Sequence, residues 1–382
     1  MPGYRLELVE ALSQVAAAEW DALAAPAGCL LSHAFLAGLE THGCVGAEQG
    51  WIPRHALMRD DDTGELVAAA PLYLKTHSYG EYVFDWAWAE AYERHGLRYY
   101  PKWLCAIPFT PVGGTRLLAR DAQVRQHLAQ ALLQLARESR VSSLHVLFPA
   151  DADAQALAGA GFMPRTGTQF HWRNQGWADF EAFLASLSQP KRKKIRAERR
   201  KVAQAGVHIR VLHGAQIGAE DWRFFYRCYA NTYQQRGQAP YLTPGFFTYL
   251  GAQLPDHCVL ALAYRDGAPI AASLLLLDTV DGTRRLYGRY WGALDTVDSL
   301  HFELCYYTPL QWAIEHDVAV FEGGAQGEHK LARGLMPVTT TSAHWLAHPG
   351  FAEAVEDFLQ RESAGLDAYV DELNEHTPYK PR

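Results

Sequence analysis

Gly334-Leu335-Met336-Pro337-Val338-Thr339-Thr340-Thr341-Ser342-Ala343-His344-Trp345 has an earlier counterpart in the same chain. Gly161-Phe162-Met163-Pro164-Arg165-Thr166-Gly167-Thr168-Gln169-Phe170-His171-Trp172 aligns with it without a gap, and both fit G-x-M-P-x-T-x-T-x-x-H-W. The alternation after each proline reads as a strand. Working outward, a short strand precedes each copy: Leu144 to Phe148 in the first, Asp317 to Phe321 in the second. Further upstream lie two strand–turn–strand patterns. His55 to Leu74 turns at Asp61-Asp62-Thr63-Gly64, and Val259 to Leu277 turns at Arg265-Asp266-Gly267. Small residues mark both second strands, Val67-Ala68-Ala69-Ala70 and Ile270-Ala271-Ala272-Ser273. The expected fold is therefore α/β with mixed sheets, built from two copies of one unit, 1–175 and 176–382.

The repeat also supplies an internal control. Aligned back from the shared glycine, the first copy carries Pro149 to Ala160, an alanine-rich segment, where the second carries Glu322 to Arg333. The latter reads Glu322-Gly323-Gly324-Ala325-Gln326-Gly327-Glu328-His329-Lys330-Leu331-Ala332-Arg333. A demand of the fold would press on both copies alike, so the polar cluster points to chemistry in the second unit, with the first unit degenerate. Its glycines allow a sharp turn or a close approach to a ligand. It follows a buried strand, where open α/β sheets place their sites.

Composition narrows the class. A chain of 382 residues suits two domains, and 49% hydrophobic residues suffice for two cores. The net charge of −7 gives no global attraction to nucleic acid or anionic lipid, so any such contact is a local patch. The longest apolar run, around Ile270 to Leu277, is too short to cross a bilayer, and no signal-peptide core follows Met1. Six scattered cysteines with no C-x-x-C suit reduced thiols in a cytoplasmic protein. No metal is expected, since Glu328, His329 and His301 lack a zinc-site spacing.

Four other stretches carry candidate residues. Residues 78–109 are rich in Tyr, Trp and Pro and have no counterpart in the second half. They form either an aromatic subcore or a substrate wall. Ser188-Gln189-Pro190-Lys191-Arg192-Lys193-Lys194-Ile195-Arg196 opens a basic helix capped by Ser188, either a solvated face or an anion site built on Lys191, Arg192, Lys194 and Arg196. The strand Thr283 to Gly292 places Tyr287, Arg289 and Trp291 on one face, a guanidinium between two aromatics. A helix from His301 to His316 follows. It holds Glu303 in its first turn, as a dipole partner or a catalytic group, and Pro309 inside it as an expected kink.

Tyr287-Gly288-Arg289-Tyr290-Trp291-Gly292, His301-Phe302-Glu303-Leu304-Cys305-Tyr306-Tyr307 and the Phe321–Gly334 segment together resemble the FemAB-like family of peptidoglycan biosynthesis or recognition proteins, grouped with GNAT-fold acyltransferases. The resemblance covers nearly the whole chain. It implies two tandem GNAT-like units and transfer of an acyl or aminoacyl group onto an amine, the acceptor being a small molecule or a cell-wall precursor. The alternative is a non-catalytic protein that recognises a cell-wall or lipid fragment. On the catalytic reading Glu322 is base or amine-orienting group and His329 an alternative base. Lys330, Arg333 and Arg289 hold phosphate or carboxylate, and the Gly323-Gly324 amides face the oxyanion. Tyr287, Trp291, His301, Glu303 and Gln326 complete the pocket. No tightly bound cofactor is implied. The donor is an acyl-CoA or an aminoacyl-tRNA, and the basic helix suits tRNA or a peripheral membrane contact. Acetyl-CoA fits poorly, because Leu294 breaks the Arg289-Tyr290-Trp291-Gly292-Ala293-Leu294 match to the pyrophosphate loop.

Overall fold

The computed structural model describes residues 3–325 and 327–380. Two compact units emerge, and each is assembled from two separate segments of the chain. Unit 1 comprises Met1–Thr168 with Thr339–Tyr369, and unit 2 comprises Gln169–Val338 with Val370–Arg382.

Unit 1 holds β1 (Tyr4–Val9), β2 (Trp51–Pro53), β3 (His55–Asp60), β4 (Leu66–Ala70), β5 (Leu72–Lys75), β6 (Lys102–Cys105), β7 (Leu118–Ala119) and β8 (Ser143–Leu147). Strands β1, β3, β4 and β7 form one antiparallel sheet. Pro71, which has no N–H to give, separates β4 from β5, and β5 enters a second sheet between β2 and β6. There β6 runs parallel to β8, and Ser342–Leu346 closes on β8 antiparallel. Helices α1 (Ala17–Ala24), α2 (His33–Thr41), α3 (Trp86–Arg94), α4 (Ala122–Glu138) and α5 (Asp151–Ala160) complete the unit. Ser32 caps α2 and Asp121 caps α4 through their side chains. Val124, Leu128 and Leu132 of α4 bury against the small residues Ala68 and Ala70.

The aromatic stretch 78–109 is partly a regular element. It contains α3 and ends in β6, a strand of the sheet. Trp88, Tyr92 and Tyr99 pack with Leu346, Val355 and Leu359, so its centre is a subcore. The C-terminal helix Pro349–Glu375 contributes Val355 and Leu359 to it.

Unit 2 takes the end of β9 (Met163–Arg173), then β10 (Val207–His213), β11 (Cys258–Arg265), β12 (Ala268–Val280), β13 (Thr283–Ala293) and β14 (Val320–Glu322). β10 to β13 are antiparallel neighbours, β14 runs parallel to β13, and β9 closes on β14 antiparallel. This is the pairing pattern of β5, β6, β8 and Ser342–Leu346 in unit 1. Helices α6 (Phe180–Ser186) and α7 (Gln189–Gln204) precede β10, and α8 (Ala219–Gln234) and α9 (Pro244–Gln253) follow it. Ser188 stands at the N-cap of α7, though its side chain makes no capping bond.

The register corrects one detail of the repeat. His145 lies opposite His344 and beside Leu104; Glu322 lies opposite His171 and beside Tyr287. His344 and His171 are the same repeat position, so Glu322 occupies the place of His145, not of Pro149. The segment leading into the repeat is thus four residues shorter in unit 2. A ten-residue helix, Asp151–Ala160, is replaced by a six-residue 3₁₀ turn, Glu328–Arg333. The gapless match stops at Gly161 and Gly334, because strand pairing, not distance from the glycine, fixes what precedes it.

No helix among the described residues is long and apolar enough to cross a membrane.

Candidate active site

β13 and β14 pair in parallel only from Arg285 to Tyr287 and from Val320 to Glu322. Glu322 ends that pairing. The chain then turns through Gly324 and Gly327, whose φ values of +86° and +118° lie where a side chain is strained. Glu322 is buried. Arg285 Nη1 stands 3.5 Å from its Oε1 and His171 Nε2 3.7 Å from its Oε2. Among the described residues Oε2 has no hydrogen-bond partner. Burial pushes the Glu322 carboxyl up to about 7, against the pull of Arg285 and Arg289. A carboxyl so placed is half ionised near neutral pH, as a base for an amine needs to be.

The turn is tied down by its own cations. Lys330 is 2% exposed and donates from Nζ to Gly324 O at 2.8 Å, and burial lowers its pKa to about 8. Arg333, also buried, donates to His329 O (2.7 Å) and to Glu198 Oε2 on α7 (3.0 Å), and its guanidinium lies 3.6 Å from the Phe302 ring centroid. Tyr307 gives its hydroxyl hydrogen to the same Glu198 carboxylate. Gly323 N–H is engaged with Phe170 O at 3.4 Å, so one of the two amides expected at the oxyanion is already bonded. Tyr379 donates to Gly334 O at 2.8 Å, which fixes the far end of the segment. Gln326 lies outside the described residues.

The other predicted residues fall into two groups. His329 is exposed and contacts Tyr306, whose hydroxyl is 3.1 Å from Nε2; burial of its ring edge, with Arg333 and Lys330, holds its pKa below the usual value. His301 is packed edge-on to Trp291 at 5.2 Å, and burial lowers it to about 4. Tyr287 is buried beside Glu322. Arg289 does not stand between Tyr287 and Trp291. Tyr290 pairs with Leu274 and Gly288 with Leu275, a bulge that leaves Arg289 over, and its guanidinium lies over the Tyr290 ring at 4.9 Å.

Glu303 is buried in an ion pair with Arg199 at 3.1 Å and accepts from Thr308 at 3.0 Å. It lines a cavity of about 690 Å³ with Arg199, Gln311, Trp312, Ile209 and Val211, a space that Glu322 and the glycine turn do not line. On α7, Lys194 and Arg196 are exposed, as are Lys193 and Arg200. Lys191 and Arg192 are half-buried, and Arg192 reaches the carbonyls of Ala185 and Leu187 at 3.4 and 3.3 Å.

Sequence reasoning did not name His171, Arg285 or Glu198 as site residues. His171 carried a signal, being the invariant histidine of the repeat. Arg285 and Glu198 carried none beyond their charge.

The chain matches the FemAB-like family, described as peptidoglycan biosynthesis/recognition, over residues 11–381. It belongs to that family. No curated protein sequence matches it. Among solved structures, L-PGS from Bacillus licheniformis is similar at a TM-score of 0.54 and 9% identity, covering 90% of this chain and 95% of that one. FemX is similar at 0.52 and 13%, covering 90% and 98%. A tandem GNAT protein from the clavulanic acid biosynthesis pathway aligns at 0.46 and 13%, covering 91% and 99%. The fold is the mixed α/β one expected from the sequence, and it is shared with L-PGS and FemX.

Proposed function

We propose that unit 2 transfers an aminoacyl group from an activated ester onto an amine of a cell-wall precursor, and that Glu322 takes the amine's proton. The amine nitrogen attacks the carbonyl carbon. The new C–N bond forms, the C–O bond to the carrier breaks, the carrier oxygen leaves with a proton from solvent, and the amine proton goes to Glu322. The observation that carries this reading is the Glu322 carboxyl itself: buried, titrating near neutral, with Oε2 unpartnered among the described residues at the start of a glycine turn. Membership of the family and the fold it shares with FemX and L-PGS support the reaction class.

Aminoacyl-tRNA is favoured over acyl-CoA as donor. The exposed cations Lys193, Lys194, Arg196 and Arg200 of α7 suit a phosphate backbone, and Leu294 interrupts the pyrophosphate motif. Such a donor places the reaction in the cytoplasm.

The test incubates the full chain with charged tRNA or acyl-CoA and a peptidoglycan precursor, and reads the acceptor mass. Glu322→Gln lowers kcat about 100-fold or more, the usual contribution of a general base, with the melting transition retained. Parent-like turnover in that variant overturns the reading. Precursor binding without product from any donor replaces it with the recognition reading.

A further inference from the structure

That scheme gives no task to the histidine of the repeated strand, although both units keep it. In each unit this histidine faces a titratable side chain on the neighbouring strand. In unit 1 the pair is His344 and His145, with their Nδ1 atoms 2.8 Å apart. The other ring nitrogens are also engaged. His145 Nε2 meets Tyr99 Oη at 3.0 Å and Ser143 Oγ at 2.9 Å, and His344 Nε2 meets Ser342 Oγ at 2.8 Å. Asp85, from the aromatic stretch, and Lys102, in the register place of Arg285, join at 2.5 Å to close the cluster.

In unit 2 the equivalent pair is open. His171 Nε2 lies 3.2 Å from Gln169 Oε1 and 3.7 Å from Glu322 Oε2, and that carboxyl oxygen has no hydrogen-bond partner among the described residues. An amide oxygen only accepts, so the Nε2 atom carries the hydrogen. A small rotation of the ring turns the same N–H from Gln169 to Glu322.

We infer that His171 is a positioning residue for Glu322: its Nε2–H moves from the Gln169 amide oxygen to the carboxylate as Glu322 ionises, and so holds the charged base in one orientation. This rests on the reading of Glu322 as proton acceptor. The charged groups around the pair are Arg285 and Arg289 from β13, Arg173 from β9, and Lys330 from the turn. His171 does not compete for the proton, since burial lowers it to about 4, and it stays a neutral donor throughout the working range.

The test is a carbon-13 titration of Glu322 in the full chain labelled at glutamate. Removing a donor from the ionised form raises its pKa. His171→Ala moves the Glu322 midpoint up by about one unit, the size of one hydrogen bond to a carboxylate, and carries the acid limb of kcat/KM with it. His171→Gln keeps an N–H donor and brings both back toward the parent. A parent-like midpoint in His171→Ala overturns the inference, as does a glutamine variant that behaves like alanine. A nitrogen-15 titration of His171 in the unaltered chain gives the same decision without a substitution. Its Nε2–H shift follows the ionisation of Glu322, and a shift constant through that midpoint overturns the inference. If the midpoint moves while Glu322→Gln keeps full turnover, the pairing stands and the functional reading fails. If Glu322→Gln is inactive while His171→Ala leaves titration and acid limb unmoved, the reading stands and the pairing fails.

Discussion

Glu322 is held in the fold at a cost that depends on pH. Its pKa rises from an ordinary 4.5 to about 7 on burial, so between those values the folded chain binds more protons than the unfolded one. Stability then falls as pH rises through that window. Glu322→Gln has no charge to bury. By melting scans, the variant and parent coincide near pH 4.5, and the variant melts higher by about 2–4 °C at pH 8. The reverse order at pH 8 rules out the buried, ionising carboxyl. Arg333 illustrates a different use of charge. The sequence presents it as a hand for phosphate; the chain spends it on Glu198 and the Phe302 ring, joining the turn to α7. Removing one partner of such a buried pair strands the other, which is expensive. Arg333 therefore holds the site's frame, and Lys330 has a similar hold on Gly324.

Among the elements, β13 explains much of the motif Tyr287-Gly288-Arg289-Tyr290-Trp291-Gly292. A Cβ placed on Gly292 would sit 1.9 Å from Cys228 O, so α8 meets the strand backbone to backbone there. Thr232 and Asn231 of α8 then bond to the carbonyls of Trp291 and Ala293 at 2.9 and 2.7 Å. Gly292→Ala separates the two, destabilising the chain by about 1–3 kcal/mol as overpacking does, read as a lowered denaturation midpoint with the slope unchanged. A parent-like midpoint means the helix has slack. The strands flanking the turn, and the turn between strand and repeat, were legible beforehand, because period-two alternation and glycine placement are local signals. The bulge at Arg289 was not, since it depends on which residue of β12 each residue of β13 meets. The helix after β13 was legible, but its geometry was not. Pro309 does not simply kink it; Glu303–Tyr307 adopts π geometry just before, a wider turn next to the residue that has no N–H to give. The pairing of His171 with Glu322 joins residues 151 positions apart, and only the strand register brings them together.

At the scale of the whole chain, each unit closes with a strand from the other half of the sequence. Ser342–Leu346 covers β8 in unit 1, and His171–Arg173 covers β14 in unit 2. A fragment of residues 1–175 leaves β8 with a bare edge and strips Leu346, Val355 and Leu359 from Trp88, Tyr92 and Tyr99. Expressed alone it shows no cooperative unfolding transition, and adding the segment 336–369 restores one; a fragment that melts cooperatively by itself contradicts the exchange. The repeat pointed to two copies of one unit, yet it did not disclose this trade, because strand exchange leaves no mark on composition or periodicity. It also bears on how the molecule is made. The ribosome must deliver everything up to Ser342 before the last strand of unit 1 appears, so residues 1–168 wait through the synthesis of unit 2, with an open sheet margin that nascent-chain chaperones are suited to shield.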